Sequence, residues 1–169
     1  YIVPLRDVVM TRAGCSLVFP LAWGDLRKYK QNRKLEEEEV RRITECVCKG
    51  LRHLHAANMA HGDIKPTNVL VTTTPPARPS EGTDDESLAQ WLSAIRTGLH
   101  VCVADLGAAC PDESRLRLPP PGLTNCSTAS WQYKAPEVLS GGEAQSLKPA
   151  DMWALACTAV ELRRATPLF

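Results

Sequence analysis

The sequence carries no excess of either charge: 20 Lys and Arg stand against 19 Asp and Glu, a formal net charge of +1. It has no arginine stripe and no polybasic tail, so nothing in it points to a nucleic-acid surface. Long hydrophobic runs are missing too. The longest, residues 152–160, is far too short to span a bilayer, and no charged-then-apolar leader opens the chain. There is no Cys-x-x-Cys pair. The seven cysteines are odd in number, and Cys46 and Cys48, two apart, fall on different faces of a helix. Free thiols in a reduced compartment fit this pattern better than a zinc site or a disulfide framework. With 169 residues the chain is long enough for one domain with a sizeable core. No internal repeat is visible.

What is present reads as a mixed α+β pattern. Residues 2–9 and 15–21 read as strands, with Pro20 turning the end of the second into an extended connector. A short helix is expected over 25–30. Residues 36–56 form a strong helix pattern, with Val40, Ile43, Val47, Leu51 and Leu54 at helical spacing. Its acidic start, 36–39, suits the helix dipole and reads as a solvated face. His53 and His55, near its end, read as packing or surface residues rather than ligands. Residues 72–80 are Thr/Pro-rich and irregular. Thr83-Asp84-Asp85-Glu86 is a capping-box pattern, followed by Leu88, Trp91, Leu92 and Ile95 on one face and by Gly98 as a cap. That helix either packs on its own lobe or docks a partner. Pro119-Pro120-Pro121-Gly122 argues against regular structure over 112–127. A last helix is expected from Pro149 or Ala150 to Arg163, since proline is tolerated in a first turn.

The chemistry concentrates in His61-Gly62-Asp63-Ile64-Lys65-Pro66-Thr67-Asn68, followed by the apolar Val69-Leu70-Val71. An Asp, a Lys and an Asn at this spacing suit phosphoryl transfer. Asp63 accepts a proton from an attacking hydroxyl, Lys65 faces a phosphate, and Asn68 helps hold a divalent metal. Downstream, Val101-Cys102-Val103-Ala104-Asp105-Leu106-Gly107 reads as a strand ending in Asp-x-Gly. Then come Ala135-Pro136-Glu137 and Asp151-Met152-Trp153. Singly, Asp63 and Asn68 read as turn residues and Lys65 as a solvated side chain. Together, four motifs in this order resemble the catalytic domain of eukaryotic protein kinases. The cyclin-dependent group is the nearest likeness, and residues 104–110 also resemble the SR-protein kinases, which carry an insert at the same place.

The resemblance implies a protein-kinase-like α+β fold. Residues 1–24 would be the end of the small lobe and the hinge, and 25–169 the helical large lobe with an insert at about 72–99. No Gly-rich loop, strand lysine or partner-glutamate helix precedes the catalytic loop. The expectation is therefore a domain truncated at both ends, inactive by itself. The cofactors implied are ATP and Mg2+. Phe19 would be the gatekeeper, Pro20 and Ala22 the adenine-contacting hinge, and Leu70 the floor beneath the adenine. Asp25 would touch the ribose, or serve only as a carboxylate at a helix start. Asn68 and Asp105 would bind magnesium. Ser130, five residues before Ala135, would bond Asp63 and Lys65 and favours Ser/Thr specificity. His61 and Asp151 would hold the catalytic loop, and Glu137 would pair with an arginine in a later helix. Three departures stand out. Gly62 replaces the arginine that binds a phosphate on the activation segment, Asn125 replaces the phosphorylated threonine, and Leu106 replaces phenylalanine. Ala154 and Ala156 are mild changes in the anchoring helix. The implied partners are a protein substrate and an activating protein, with no nucleic acid and no membrane, in an intracellular setting, cytoplasmic or nuclear. The competing reading is a pseudokinase or kinase fragment that serves as a non-catalytic binding module.

Overall fold

The computed structural model describes residues 1–12, 14–80, 82–112, 116–118, 128–140, 142–144 and 146–169, with backbone alone for 116–118, 128–130 and 142–144. The chain opens with an exposed antiparallel pair, β1 (Asp7–Thr11) and β2 (Gly14–Val18). The strand expected over 2–9 is split. Pro4 has no N–H to give a ladder, so residues 1–3 follow a different neighbour: Val103 N–H donates to the Tyr1 carbonyl and Val3 N–H to the Val103 carbonyl. The second strand also ends earlier than expected, at Val18.

Next come the short β3 (Gly24–Asp25), α1 (Leu26–Lys30) and the long α2 (Glu37–Ala56). Ile43, Val47 and Leu51 of α2 are buried at the expected spacing. The acidic start of α2 is not a solvated face throughout, which corrects the sequence expectation. Glu39 is fully buried, accepting the Glu36 N–H at 2.8 Å, the Tyr29 hydroxyl at 2.5 Å and both Arg33 terminal nitrogens at 2.8 and 2.9 Å. Burial alone would raise its pKa. The bonds from Arg33 and Tyr29 outweigh that and hold it below the usual carboxylate value.

Met59–Ala60 forms β4 and Val69–Val71 forms β5. Next comes α3 (Asp85–Gly98), capped by Asp84 rather than Thr83. Its Trp91 and Ile95 are buried, and it packs against α2. Arg96 bonds Glu38 at 3.0 Å and Arg78 bonds Glu36 at 2.7 Å. The Trp91 and Ile95 side of α3 is thus buried within this chain.

β6 (Val101–Val103) closes a three-stranded antiparallel sheet in the order β3-β5-β6. Its centre is dry: Val69, Val71, Val101 and Val103 have no exposed surface. β7 (Cys110–Pro111) pairs with β4, and β8 (Leu116–Leu118) pairs with β9 (Gly142–Ala144) across α4 (Pro136–Ser140). The chain then enters α5 (Lys148–Arg164), with Pro149 in its first turn. Asp112 fixes that entry by accepting the Leu147 N–H at 2.6 Å and the Ser146 hydroxyl at 2.9 Å. α5 packs on α2, and the core lies between them and the sheet. Among the described residues no helix is long and apolar enough to cross a membrane.

Candidate active site

The loop between β4 and β5 is held from behind by a buried carboxylate. Asp151, in the first turns of α5 and 1% exposed, accepts the His61 N–H on Oδ2 and the Gly62 N–H on Oδ1, both at 2.8 Å. His55 Nε2 also reaches Asp151 Oδ2, at 2.8 Å. His61, fully buried, bridges the loop to the end of β6: Nδ1 accepts the Asp63 N–H at 3.2 Å and Nε2 lies 3.0 Å from the Ala104 carbonyl. Both contacts are satisfied by the neutral ring with its proton on Nε2. The expected holding roles of His61 and Asp151 therefore have bonds to match, and His55 joins them.

The front of the loop gathers Asp63, Lys65 and Asn68. Lys65 Nζ donates to Asp63 Oδ2 at 2.6 Å, and Asn68 Nδ2 donates to the Asp63 carbonyl at 2.8 Å and to Oδ2 at 3.0 Å. A further cation stands behind them. Lys134 Nζ lies 3.7 Å from Asp63 Oδ1 and donates to the Gly62 carbonyl at 2.7 Å. Burial would raise the Asp63 pKa, but the bond from Lys65 and the charge of Lys134 outweigh it and keep the carboxylate below its ordinary range. Asp63 is ionised at neutral pH, the form that can accept a proton.

Asp105 is brought alongside by strand register. β5 pairs with β6 so that Val69 faces Val103, and the Ala104 N–H donates to the Asn68 carbonyl at 2.9 Å. Asn68 and Asp105 thus leave the sheet at the same end. Asp105 has a left-handed backbone, φ +61°, and its Oδ1 accepts the Gly107 N–H at 3.3 Å. Asp105 also borders a mostly apolar cavity of about 790 Å³ whose walls include Val3, Leu17, Phe19, Leu70 and Leu106. Pro20 and Ala22 stand outside that lining. Asp25 caps α1, its Oδ1 accepting the Lys28 N–H at 2.7 Å. That is the structural one of its two readings, and its other oxygen leaves the ribose reading open. Ser130 falls in the turn Thr128–Tyr133, with its side chain outside the described part. Asn125 lies outside the described residues altogether.

The donors suit a hard cation. Asn68 turns its amide nitrogen to Asp63, and its Oδ1 meets the Thr67 hydroxyl at the long distance of 3.5 Å, while Asp105 supplies a carboxylate. Among the described residues no group of three His, Cys, Asp or Glu side chains converges on a metal position. Magnesium takes one or two protein oxygens and shares the rest with water and phosphate.

Sequence reasoning missed Lys134 and His55. Each meets its partner across a long stretch of chain, 72 residues for Lys134 and Gly62 and 96 for His55 and Asp151, so local spacing carried no signal for either.

Residues 1–169 match the family described as "Protein kinase domain". Among curated proteins the chain is similar to "Cyclin-dependent kinase 20" of Pongo abelii, 29% identical over all of this chain and 41% of that protein. "Mitogen-activated protein kinase HOG1" of Ustilaginoidea virens is 28% identical over all of this chain and 37% of that protein. "Probable serine/threonine-protein kinase MRK1 homolog" of Encephalitozoon cuniculi is 31% identical over 96% of this chain and 42% of that protein. The chain spans about two fifths of the length of these relatives.

Proposed function

Because this chain belongs to the protein kinase family, we propose that its parent protein transfers the γ-phosphoryl group of ATP to Ser/Thr hydroxyls of protein substrates. The observation that carries the proposal is the Asp63 carboxylate, held between Lys65 and the Asn68 amide at 2.6 and 3.0 Å. Residues 1–24 serve as the end of the small lobe and the hinge, 25–169 as the large lobe, and about 72–99 as an insert.

The nucleotide base lies in the cavity between Phe19 and Leu70, with Pro20 and Ala22 offering backbone groups at its rim and Asp25 near the ribose. Asn68 and Asp105 would hold Mg2+, which would supply positive charge to the phosphates. Lys65 faces the γ-phosphate. Asp63 orients the substrate hydroxyl in line with it. A carboxylate this acidic is a weak base, so Asp63 takes the proton late, once bonding to phosphorus has made the hydroxyl acidic. By the kinase resemblance, Ser130 would bond Asp63 and Lys65.

The relatives named as Ser/Thr, cyclin-dependent and mitogen-activated kinases support the Ser/Thr choice and a protein activator. The setting that fits is intracellular, cytoplasmic or nuclear. A pseudokinase or binding-module role is the less supported reading, because Asp63, Lys65, Asn68 and Asp105 are all retained. The deciding experiment is transfer of labelled phosphate from ATP to a generic basic protein by the full-length parent, with Asp63→Asn as control. No transfer by the wild type, despite nucleotide binding, would select the non-catalytic role.

A further inference from the structure

Gly62 is committed to glycine by its surroundings. Its φ is +75°, and a Cβ placed on it would sit 2.9 Å from the Ala108 carbonyl oxygen. Two backbones have closed on the space a side chain would need, so a larger residue here would strain the turn and push it away from Ala108. The bridge comes from the opposite side. Lys134 Nζ donates to the Gly62 carbonyl at 2.7 Å and sits 3.7 Å from Asp63 Oδ1. Its root is fixed. The Lys134 N–H donates to the Trp131 carbonyl at 3.0 Å. Its neighbours Tyr133 and Ala135 are buried, and the Tyr133 hydroxyl is tied to Glu161 at 2.5 Å. The lysine side chain itself is only 13% exposed. A mostly buried ammonium donating to a carbonyl and facing a carboxylate makes a directional, charge-assisted contact.

We propose that Lys134 is a positioning residue for phosphoryl transfer: its ammonium docks the segment before α4 onto the catalytic loop and sets the place of the Asp63 carboxylate. This rests on the phosphotransfer reading above and adds to it. Among the described residues, the charged groups that face Asp63 are Lys65 from its own loop and Lys134 from the segment before α4. Asp151 of α5 lies behind, on the His61 and Gly62 amides. Lys134 is the member of this set that links the loop to the protein-substrate side, so it aligns the site without any phosphate being added to the chain.

The test uses the full-length parent as wild type, Lys134→Met and Lys134→Arg. Misplacing a catalytic group by about 1 Å can cost on the order of 100-fold in rate, so Lys134→Met should lower kcat by about 10- to 100-fold. The KM for ATP should hold, and Lys134→Arg should recover most of the loss by keeping the charge. Hydrogen exchange gives a readout that needs no activity. In Lys134→Met, amides of residues 61–68 should exchange faster together with those of 131–140, while Lys134→Arg stays near wild type. Three results would overturn the proposal: unchanged kcat in Lys134→Met, equal losses in both variants, or faster exchange confined to 131–140. An inactive wild type would sink the phosphotransfer reading instead, and the exchange pattern would still decide whether Lys134 docks the loop.

Discussion

Asp151 Oδ1 accepts the Gly62 N–H at 2.8 Å, joining α5 to a turn 89 residues earlier. With the His61 and His55 contacts, one buried carboxylate sets the back of the catalytic loop. Asp151→Asn keeps one acceptor oxygen but turns an NH2 toward a buried N–H. Leaving such a donor unsatisfied costs about 1–3 kcal/mol. Urea unfolding of the parent should show a lower midpoint, and phosphotransfer should fall with it. A variant equal to wild type in both would mean that the loop holds its shape without Asp151.

Asp63→Asn should lower phosphotransfer by roughly 10²–10⁴-fold, the usual size of a general-base contribution. Nucleotide affinity should change little, since Lys65, Asn68 and Asp105 remain. Near-normal turnover would remove Asp63 from the mechanism.

Asp105→Ala should weaken nucleotide binding in the presence of magnesium more than in its absence. A hard cation there loses one of its few protein oxygens. The check is a magnesium titration of nucleotide binding, and superimposable curves for wild type and variant would reduce Asp105 to a turn residue.

Stability should depend on pH through Glu39. Its pKa in the fold lies below the ordinary value, so the folded state favours the ionised form. That contribution is fully present above the unfolded-state pKa, near 4.5, and is lost as pH falls through the lower folded value. Glu39→Gln should destabilise the protein at neutral pH by about 1–3 kcal/mol, because the Tyr29 hydroxyl and the partly exposed Arg33 lose a charged acceptor. The gap to wild type should close as the solution is acidified below pH 4.5. A gap that stays constant down to strong acid would show that Glu39 is not ionised in the fold.

Activity of the parent should not depend on phosphorylation of the activation segment. Gly62 cannot bind a phosphate there, Asn125 is not an acceptor, and Lys134 already spans to the loop without one. Phosphatase treatment should leave turnover nearly unchanged. A large loss mapped to Ser127 or Thr128 would reveal a different basic group that reads the phosphate.

Much of this was legible because it is local. The apolar spacing of α2, the capping residues before α3, and the sequence from His61 to Asn68 each carry their signal within a few turns of chain. What escaped depends on distance. Glu39 sits in a run of four glutamates that looks solvated. Only the arrival of Tyr29 and Arg33, from across the connection between α1 and α2, turns it inward. Nothing near Lys134 announces Gly62, and nothing near His55 announces Asp151. The N-terminal strand failed for a local reason that was visible: Pro4 interrupts any ladder across it. Which side chains line the cavity beside Asp105 was not visible, because alignment on a motif fixes order along the chain and not depth in a wall.

Glu161 of α5 offers one carboxylate to two neighbours, Lys30 of α1 at 3.0 Å on Oε1 and Tyr133 at 2.5 Å on Oε2. Burial and the bond to this carboxylate push the Tyr133 pKa far up, so its hydroxyl keeps its proton and remains a donor. Tyr133 immediately precedes Lys134. Neither α1 nor the turn Thr128–Tyr133 can slide over α5 without tearing a bond at the same buried oxygen pair. A single side chain thus pins two separate stretches of chain to one helix, and losing Glu161 would release both.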